Sequence, residues 1–205
     1  MTTNASPQSH YFSHQQEHTE LSPHWIEATC RNRTLKLATG AGVFARRGLD
    51  EGTRLLLESA DLSDAKRIGD LGCGWGAVAC FVAHEYSMSH VFACDINTHA
   101  TQLTQLNLQT NNLENASVWC GDGLSSARDN FFDAILFNPP IRAGNVVIQK
   151  LFDDAFRCLK IGGKIWIVLR TAQGAKSWAK KLETQFGNCE TIAIESGYRV
   201  LVCVR

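Results

Sequence analysis

Three short stretches hold the residue types from which a reaction site could be built. Gly72-Cys73-Gly74-Trp75-Gly76-Ala77 follows the apolar run that contains Asp70, Asp95 closes a second apolar run, and Asn138-Pro139-Pro140 closes a third. Parallel α/β sheets present ligands at such places, where strands end in polar or glycine-rich turns. The glycine turn fits two templates at once. It satisfies G-x-G-x-x-A, the fingerprint of nicotinamide and flavin dinucleotides, and also G-x-G-x-G, a turn that receives S-adenosylmethionine.

Charge separates the two. Asp70 stands two residues before the first glycine, which puts a carboxylate near the mouth of the loop. A dinucleotide brings a doubly negative pyrophosphate to the following helix N-terminus, where that carboxylate repels it. S-adenosylmethionine carries an ammonium and a sulfonium instead, so the same group attracts. A plain helix-start carboxylate is the competing role. Asp95, about 20 residues past the turn, is placed to accept hydrogen bonds from both ribose hydroxyls of either cofactor. Gly121-Asp122-Gly123 could receive the adenine amino group on Asp122, or be no more than a turn. The candidate cofactor set is therefore Asp70, Gly72, Gly74, Gly76, Asp95, Ile96, Asp122, Gly123 and Asn138.

Asn138-Pro139-Pro140 suggests the reaction. Consecutive prolines fix the backbone and donate no hydrogen bonds, leaving the Asn138 amide oxygen and the Pro139 carbonyl as acceptors. An exocyclic NH₂ has two hydrogens to offer them. With its lone pair facing a methyl sulfonium, an amine held in this way needs little beyond positioning and electrostatics for in-line displacement. No strong general base is required, because the nitrogen becomes acidic once methylated, and no His or Cys adjoins the motif. Asn138, Pro139 and Pro140 are the catalytic candidates. An ordinary proline turn at a strand end is the alternative.

Bringing these stretches together takes parallel strands, and the chain's pattern provides them. Strands expected at residues 67–71, 90–95, 117–120, 132–138 and 164–169 are interspersed with helices at 77–86, 98–111, 146–159 and 173–186. Such βαβ units imply a Rossmann-like α/β fold, a mostly parallel sheet with helices on both faces. Ahead of them, residues 25–39 fold back about Asn32 as an N-terminal β-hairpin, residues 40–48 form a glycine-punctuated loop, and residues 53–60 form a short helix. Residues 190–195 and 198–204, joined by Ser196-Gly197, close the chain as a hairpin whose final strand runs antiparallel to its neighbour. Residues 1–20 read as a polar arm and 21–205 as one domain.

With 205 residues, 44% of them hydrophobic, the chain can bury a proper single-domain core. The formal net charge is zero, so a nucleic-acid partner must be met by local clusters such as Arg31/Arg33/Lys36, Arg46/Arg47 or Lys176/Lys180/Lys181, each of which also serves simply as a solvated face. Of eight cysteines, Cys80, Cys94, Cys120, Cys158, Cys189 and Cys203 sit inside apolar runs and no Cys-x-x-Cys occurs, which favours buried reduced thiols over disulfides. His10, His14 and His18 could line one helix face, but without a further ligand no metal is expected. No signal peptide opens the chain and no apolar run approaches the roughly 18 residues of a membrane span, so no membrane partner and a cytoplasmic location are expected.

Asp70-Leu-Gly-Cys-Gly-Trp-Gly76, Asp95 and Asn138-Pro-Pro together resemble class I S-adenosylmethionine-dependent methyltransferases that act on amino groups. Tyr11-Phe12-Ser13, Gly42-Val43-Phe44, Leu49-Asp50-Glu-Gly52-Thr53, Asn138-Pro-Pro-Ile-Arg142-Ala-Gly144, Gln173-Gly-Ala-Lys176 and Gly197-Tyr198-Arg199-Val200-Leu201 narrow the resemblance further. They are similar to single-domain relatives of the bacterial ribosomal RNA small-subunit guanine-N2 methyltransferases. The resemblance implies a seven-stranded sheet with its last strand reversed, S-adenosylmethionine as cofactor, and guanine N2 of ribosomal RNA as acceptor. Many such enzymes stack Tyr or Phe on the target base where this chain has Ile141, and often have Ser where it has Ala45. Stacking is worth about 1–3 kcal/mol per base, so the expected substrate-binding set is Phe44 as the substitute, whose competing role is to pack its loop onto the domain, together with Ile141 and an RNA rim of Arg46, Arg47 and Arg142. The two-domain ribosomal enzymes also carry a second domain that these 205 residues lack. A protein glutamine amide or a small-molecule amine are the rival acceptors. From other classes, a nicotinamide oxidoreductase is opposed by Asp70, and a non-catalytic S-adenosylmethionine- or RNA-binding module by the intact Asn-Pro-Pro.

Overall fold

Residues 23–43 and 48–205 are described by the structure, a computed structural model. The hairpin pairs β1 (His24–Cys30) with β2 (Arg33–Thr39) across Arg31 and Asn32, whose φ angles of 47° and 60° make the two-residue turn that matches strand twist. Helix α1 (Glu51–Ser59) starts two residues earlier than expected. Asp50 is the reason, since its carboxylate accepts the Thr53 N–H at 3.1 Å and caps the first turn.

The body of the fold runs β3 (Arg67–Leu71), α2 (Ala77–Glu85), β4 (His90–Asp95), α3 (Thr98–Thr110), β5 (Ala116–Cys120), β6 (Phe132–Phe137), α4 (Asn145–Cys158), β7 (Leu159–Arg170), α5 (Ala175–Phe186), β8 (Glu190–Glu195) and β9 (Tyr198–Val204). The sheet order is β5-β4-β3-β6-β7-β9-β8, and β9 alone runs opposite to the other six strands. The winding direction reverses between β3 and β6, which opens a crevice above their carboxyl ends.

Side-chain alternation along each strand feeds two cores. Ile68, Val91, Ala93, Leu136, Trp166 and Val168 pack with α1, α2, α3 and the hairpin, while Leu71, Ile135, Phe137, Ile165, Ile167 and Leu169 pack with α4 and α5. Helix α2 lies between α1 and α3, so Ala77 through Ala83 are all buried.

Several boundaries differ from expectation for local reasons. Strand β6 ends at Phe137 rather than at residue 138, because Pro139 and Pro140 have no N–H to extend the ladder. Strand β7 begins five residues earlier than expected, and its pairing with β6 shifts register between Leu159 and Lys164, across Gly162-Gly163; a Cβ on Gly163 would lie 2.9 Å from the Lys160 carbonyl oxygen. The helix expected from residue 173 is preceded by a 3-10 turn over Thr171–Gln173. All eight cysteines are free thiols, but Cys120 is exposed and Cys189 half-buried. The first correction follows from topology, because β5 is an edge strand with no fully buried residue. Among the described residues no helix is long and apolar enough to cross a membrane, and no group of His, Cys, Asp and Glu could hold a metal ion. His10, His14 and His18 lie outside the described residues.

Candidate functional site

The glycine turn is held from three sides. Gly72 and Cys73 both donate their N–H to the Cys94 carbonyl at 2.9 Å, tying the turn to β4. Thr104 on α3 donates its hydroxyl to the Gly74 carbonyl at 2.9 Å. Asn107, one helical turn further on, donates to the Trp75 carbonyl at 2.7 Å and to the Ala38 carbonyl at 2.9 Å, and accepts the Ala38 N–H at 2.5 Å. One buried amide thus joins the hairpin, α3 and the turn. Gly76 is the position that requires glycine most strictly: its φ is 87°, and a Cβ there would lie 2.7 Å from Thr104 Cγ2. Sequence reasoning missed Thr104 and Asn107. Their signal was a row of polar residues, Thr101, Thr104 and Asn107, among the apolar residues of one helix.

Asp70 is not at the mouth of the loop. It is 3% exposed, and its Oδ2 accepts the Ala79 N–H at 3.0 Å in the first turn of α2, where the N-cap residue Gly76 has no side chain to offer. This is the helix-start role, fulfilled from beneath the turn. Burial pushes the carboxyl up to about 7, against the pull of the Ala79 N–H and with a further push from Asp95. Asp70 therefore does not discriminate between the cofactors by charge, since a buried, part-protonated acid does not face an incoming pyrophosphate. Burial likewise raises the thiols of Cys73, Cys80 and Cys94 around the turn, so none serves as a thiolate nucleophile near neutrality.

Asp95 sits where it was expected. Its Oδ2 accepts the Gly74 N–H and its Oδ1 accepts the Asn97 N–H, each at 2.9 Å, which fixes the carboxylate across the crevice with lone pairs to spare. Ile96, beside it, is 52% exposed, an uncovered apolar surface at the strand end. Asp122 is exposed and paired with Lys150 of α4 at 2.9 Å. Gly123 has φ 59°, and a Cβ there would meet Leu151 Cδ2 at 2.5 Å.

Asn138 leaves β6 across the crevice from the glycine turn. Its Nδ2 donates to Thr53 Oγ1 at 3.0 Å. The Pro140 carbonyl takes the Ala143 N–H at 2.8 Å and the Ile141 carbonyl takes the Gly144 N–H at 3.4 Å, folding Ile141–Ala143 into a 3-10 turn. Among the described residues, no donor reaches the Asn138 Oδ1 or the Pro139 carbonyl. Both oxygens keep their acceptor capacity at the end of β6, where Asn138 is half-buried and Pro139 buried. Ile141 is half-buried against the α4–α5 core, and Arg142 is exposed on the turn. Phe44, Arg46 and Arg47 lie outside the described residues.

Residues 34–202 match the protein family described as Methyltransferase small domain. The uncharacterized protein YbxB of Bacillus subtilis (strain 168) is 30% identical over 194 residues, covering 94% of this chain and 96% of YbxB. Ribosomal RNA large subunit methyltransferase G of Pectobacterium atrosepticum is 32% identical over 177 residues, covering 83% of this chain and 46% of that enzyme. Among solved structures, the Thermus thermophilus 16S rRNA N2 G1207 methyltransferase RsmC, in complex with AdoMet and guanosine, superposes with a TM-score of 0.78 at 22% identity, covering 89% of this chain and 50% of that one. The chain thus spans nearly all of YbxB but about half the length of the two ribosomal RNA enzymes.

Proposed function

Because the chain belongs to the methyltransferase small-domain family, and is an S-adenosylmethionine-dependent methyltransferase, we propose that it methylates an exocyclic amino group, the N2 amine of a guanine in ribosomal RNA. The observation that carries this reading is the strand end at which no donor among the described residues takes Asn138 Oδ1 or the Pro139 carbonyl. Such a strand end suits a group with two hydrogens to donate, and a primary amine on a planar ring has them. The ribosomal RNA relatives supply the macromolecule, and the 16S N2 G1207 enzyme supplies the atom.

The donor set suits the cofactor. Asp95 offers two oxygens to vicinal ribose hydroxyls, Ile96 offers an apolar face to adenine, and Asp122, steadied by Lys150, stands at the next strand end. S-adenosylmethionine, when bound, supplies a methyl group made electrophilic by its sulfonium. Asn138 and Pro139 hold the two amine hydrogens, which aims the nitrogen lone pair into the crevice. That lone pair would take the methyl group, with the cofactor sulfur as the leaving group, and the nitrogen, acidic once methylated, would release its proton to water. Arg142 contributes a cation to the RNA rim, with Arg46 and Arg47 as its further members and Phe44 as the base-stacking residue in place of the aromatic absent at Ile141.

Mass spectrometry of ribosomal RNA from a strain lacking the gene tests this directly. A single missing N2-methylguanosine, restored by the wild-type gene and not by Asn138→Ala, is the expected result. If the RNA is unchanged and purified protein transfers no methyl group to it, the reading is wrong and glutamine amides of proteins become the acceptor to test.

A further inference from the structure

Asn138 is held by a residue 85 positions earlier in the chain. An asparagine amide presents either its oxygen or its NH₂ when turned by half a revolution, and the two faces have opposite hydrogen-bonding character. At this strand end only the first orientation receives an amine. The side chain is half-buried, and its Nδ2 has one partner among the described residues, Thr53 Oγ1 at 3.0 Å.

Thr53 is itself fixed. It is 6% exposed and third in α1, and its N–H is bound by the Asp50 carboxylate at 3.1 Å. The residue before it, Gly52, lies so close to the Tyr198 ring that a Cβ would come within 2.7 Å of Cε1. A β-branched side chain on a seated helix start has little rotamer freedom, so its oxygen is a fixed point. We propose that Thr53 is a positioning residue. In the orientation observed, its hydroxyl oxygen accepts the Asn138 N–H and leaves the Asn138 oxygen free for the acceptor amine, so that Thr53 holds the amide in the pose that receives a primary amino group. This inference rests on the amine-methylation reading above, and it predicts a defect in transfer without a defect in cofactor binding.

Two variants and two readouts test it. Thr53→Val keeps the volume and branching but removes the hydroxyl, and Thr53→Ser keeps the hydroxyl. The side-chain NH₂ signals of Asn138 in ¹⁵N-labelled protein are identified by their loss in Asn138→Ala. One of the two protons should exchange slowly with solvent in the wild type and in Thr53→Ser, and both should exchange rapidly in Thr53→Val. In assays with labelled S-adenosylmethionine and ribosomal RNA from a strain lacking the gene, Thr53→Val should lower turnover about tenfold to a hundredfold, the scale of a small misplacement of a reacting group. Cofactor affinity should stay within about twofold, and Thr53→Ser should recover most of the turnover. Equal exchange of both amide protons in the wild type overturns the proposal, as does wild-type turnover in Thr53→Val. A parallel loss of cofactor affinity and melting temperature in both variants assigns Thr53 to packing and overturns it as well. A wild-type protein that methylates no RNA refutes the RNA reading, while the exchange measurement still decides whether Thr53 orients Asn138.

Discussion

Replacing Asp70 with asparagine separates what this residue costs the fold from what it contributes to it. The carboxyl is fully enclosed beneath the glycine turn and is pushed up to about 7 from an ordinary value of 3.8, chiefly by burial. A carboxyl whose pKa rises on folding binds its proton more tightly in the native state. Its favourable contribution is complete below the unfolded pKa and is lost as the pH climbs through the folded one. Between pH 5 and pH 8 the loss amounts to about 2–3 kcal/mol, taking about 1.4 kcal/mol for each pH unit where the unfolded state is ionised and the native state is not. In a chain of this size that corresponds to roughly 5–10 °C in melting temperature. Asparagine carries no charge, and its oxygen can still accept the Ala79 N–H. The assay is thermal unfolding of cofactor-free wild type and Asp70→Asn at pH 5, 6, 7 and 8. The melting temperature of the variant relative to wild type should rise by that amount across the series. A difference that stays flat with pH would show that Asp70 is not a buried acid titrating near neutrality.

Asp95→Ala leaves the Gly74 and Asn97 N–H groups without their acceptor and removes the proposed ribose contacts; calorimetry should find cofactor binding weaker by about 1.5–3 kcal/mol, and affinity within twofold of wild type would refute that role. Gly76→Ala forces a Cβ into Thr104 at a left-handed position, so denaturant unfolding should report a loss of about 2–5 kcal/mol. Asn138→Asp keeps acceptor oxygens and should transfer methyl groups more slowly than wild type but faster than Asn138→Ala; equal inactivity of the two variants argues against an acceptor role.

The sheet and its switch point were legible because apolar runs ending at Leu71, Asp95, Cys120 and Phe137 alternate with helix-length segments, and because the glycine turn follows directly on a strand. Both hairpins were legible from turn chemistry at Asn32 and at Ser196-Gly197, where the backbone enters the left-handed region. The position of Asp70 was not. A strand residue alternates sides, and nothing in its neighbours tells whether the next helix folds back over it. Thr53 escaped notice for a related reason, since its partner Asn138 is brought to it only by tertiary packing of α1 on β7 and β9. Ile141 stands where the resemblance has a base-stacking aromatic, and its half-buried aliphatic chain packs against the α4–α5 core, which only the tertiary structure reveals.

The insertion of β9 between β7 and β8 has a kinetic consequence. Strand β8 pairs with β9 alone, so those two strands can close as a local hairpin without the rest of the sheet. Hairpins of this kind close in microseconds, whereas docking one onto a distant strand waits on the slower arrangement of the whole chain. Until it docks, β7 keeps an open, strongly apolar edge of the sort that templates aggregation. A partly folded molecule can still assemble the glycine turn, which draws on β3, β4 and α3. It lacks the Tyr198 ring against which Gly52 seats α1, and so lacks the seat of Thr53. Cofactor capture thus draws on a part of the fold that the hairpin does not build, whereas the grip on Asn138 needs the hairpin docked.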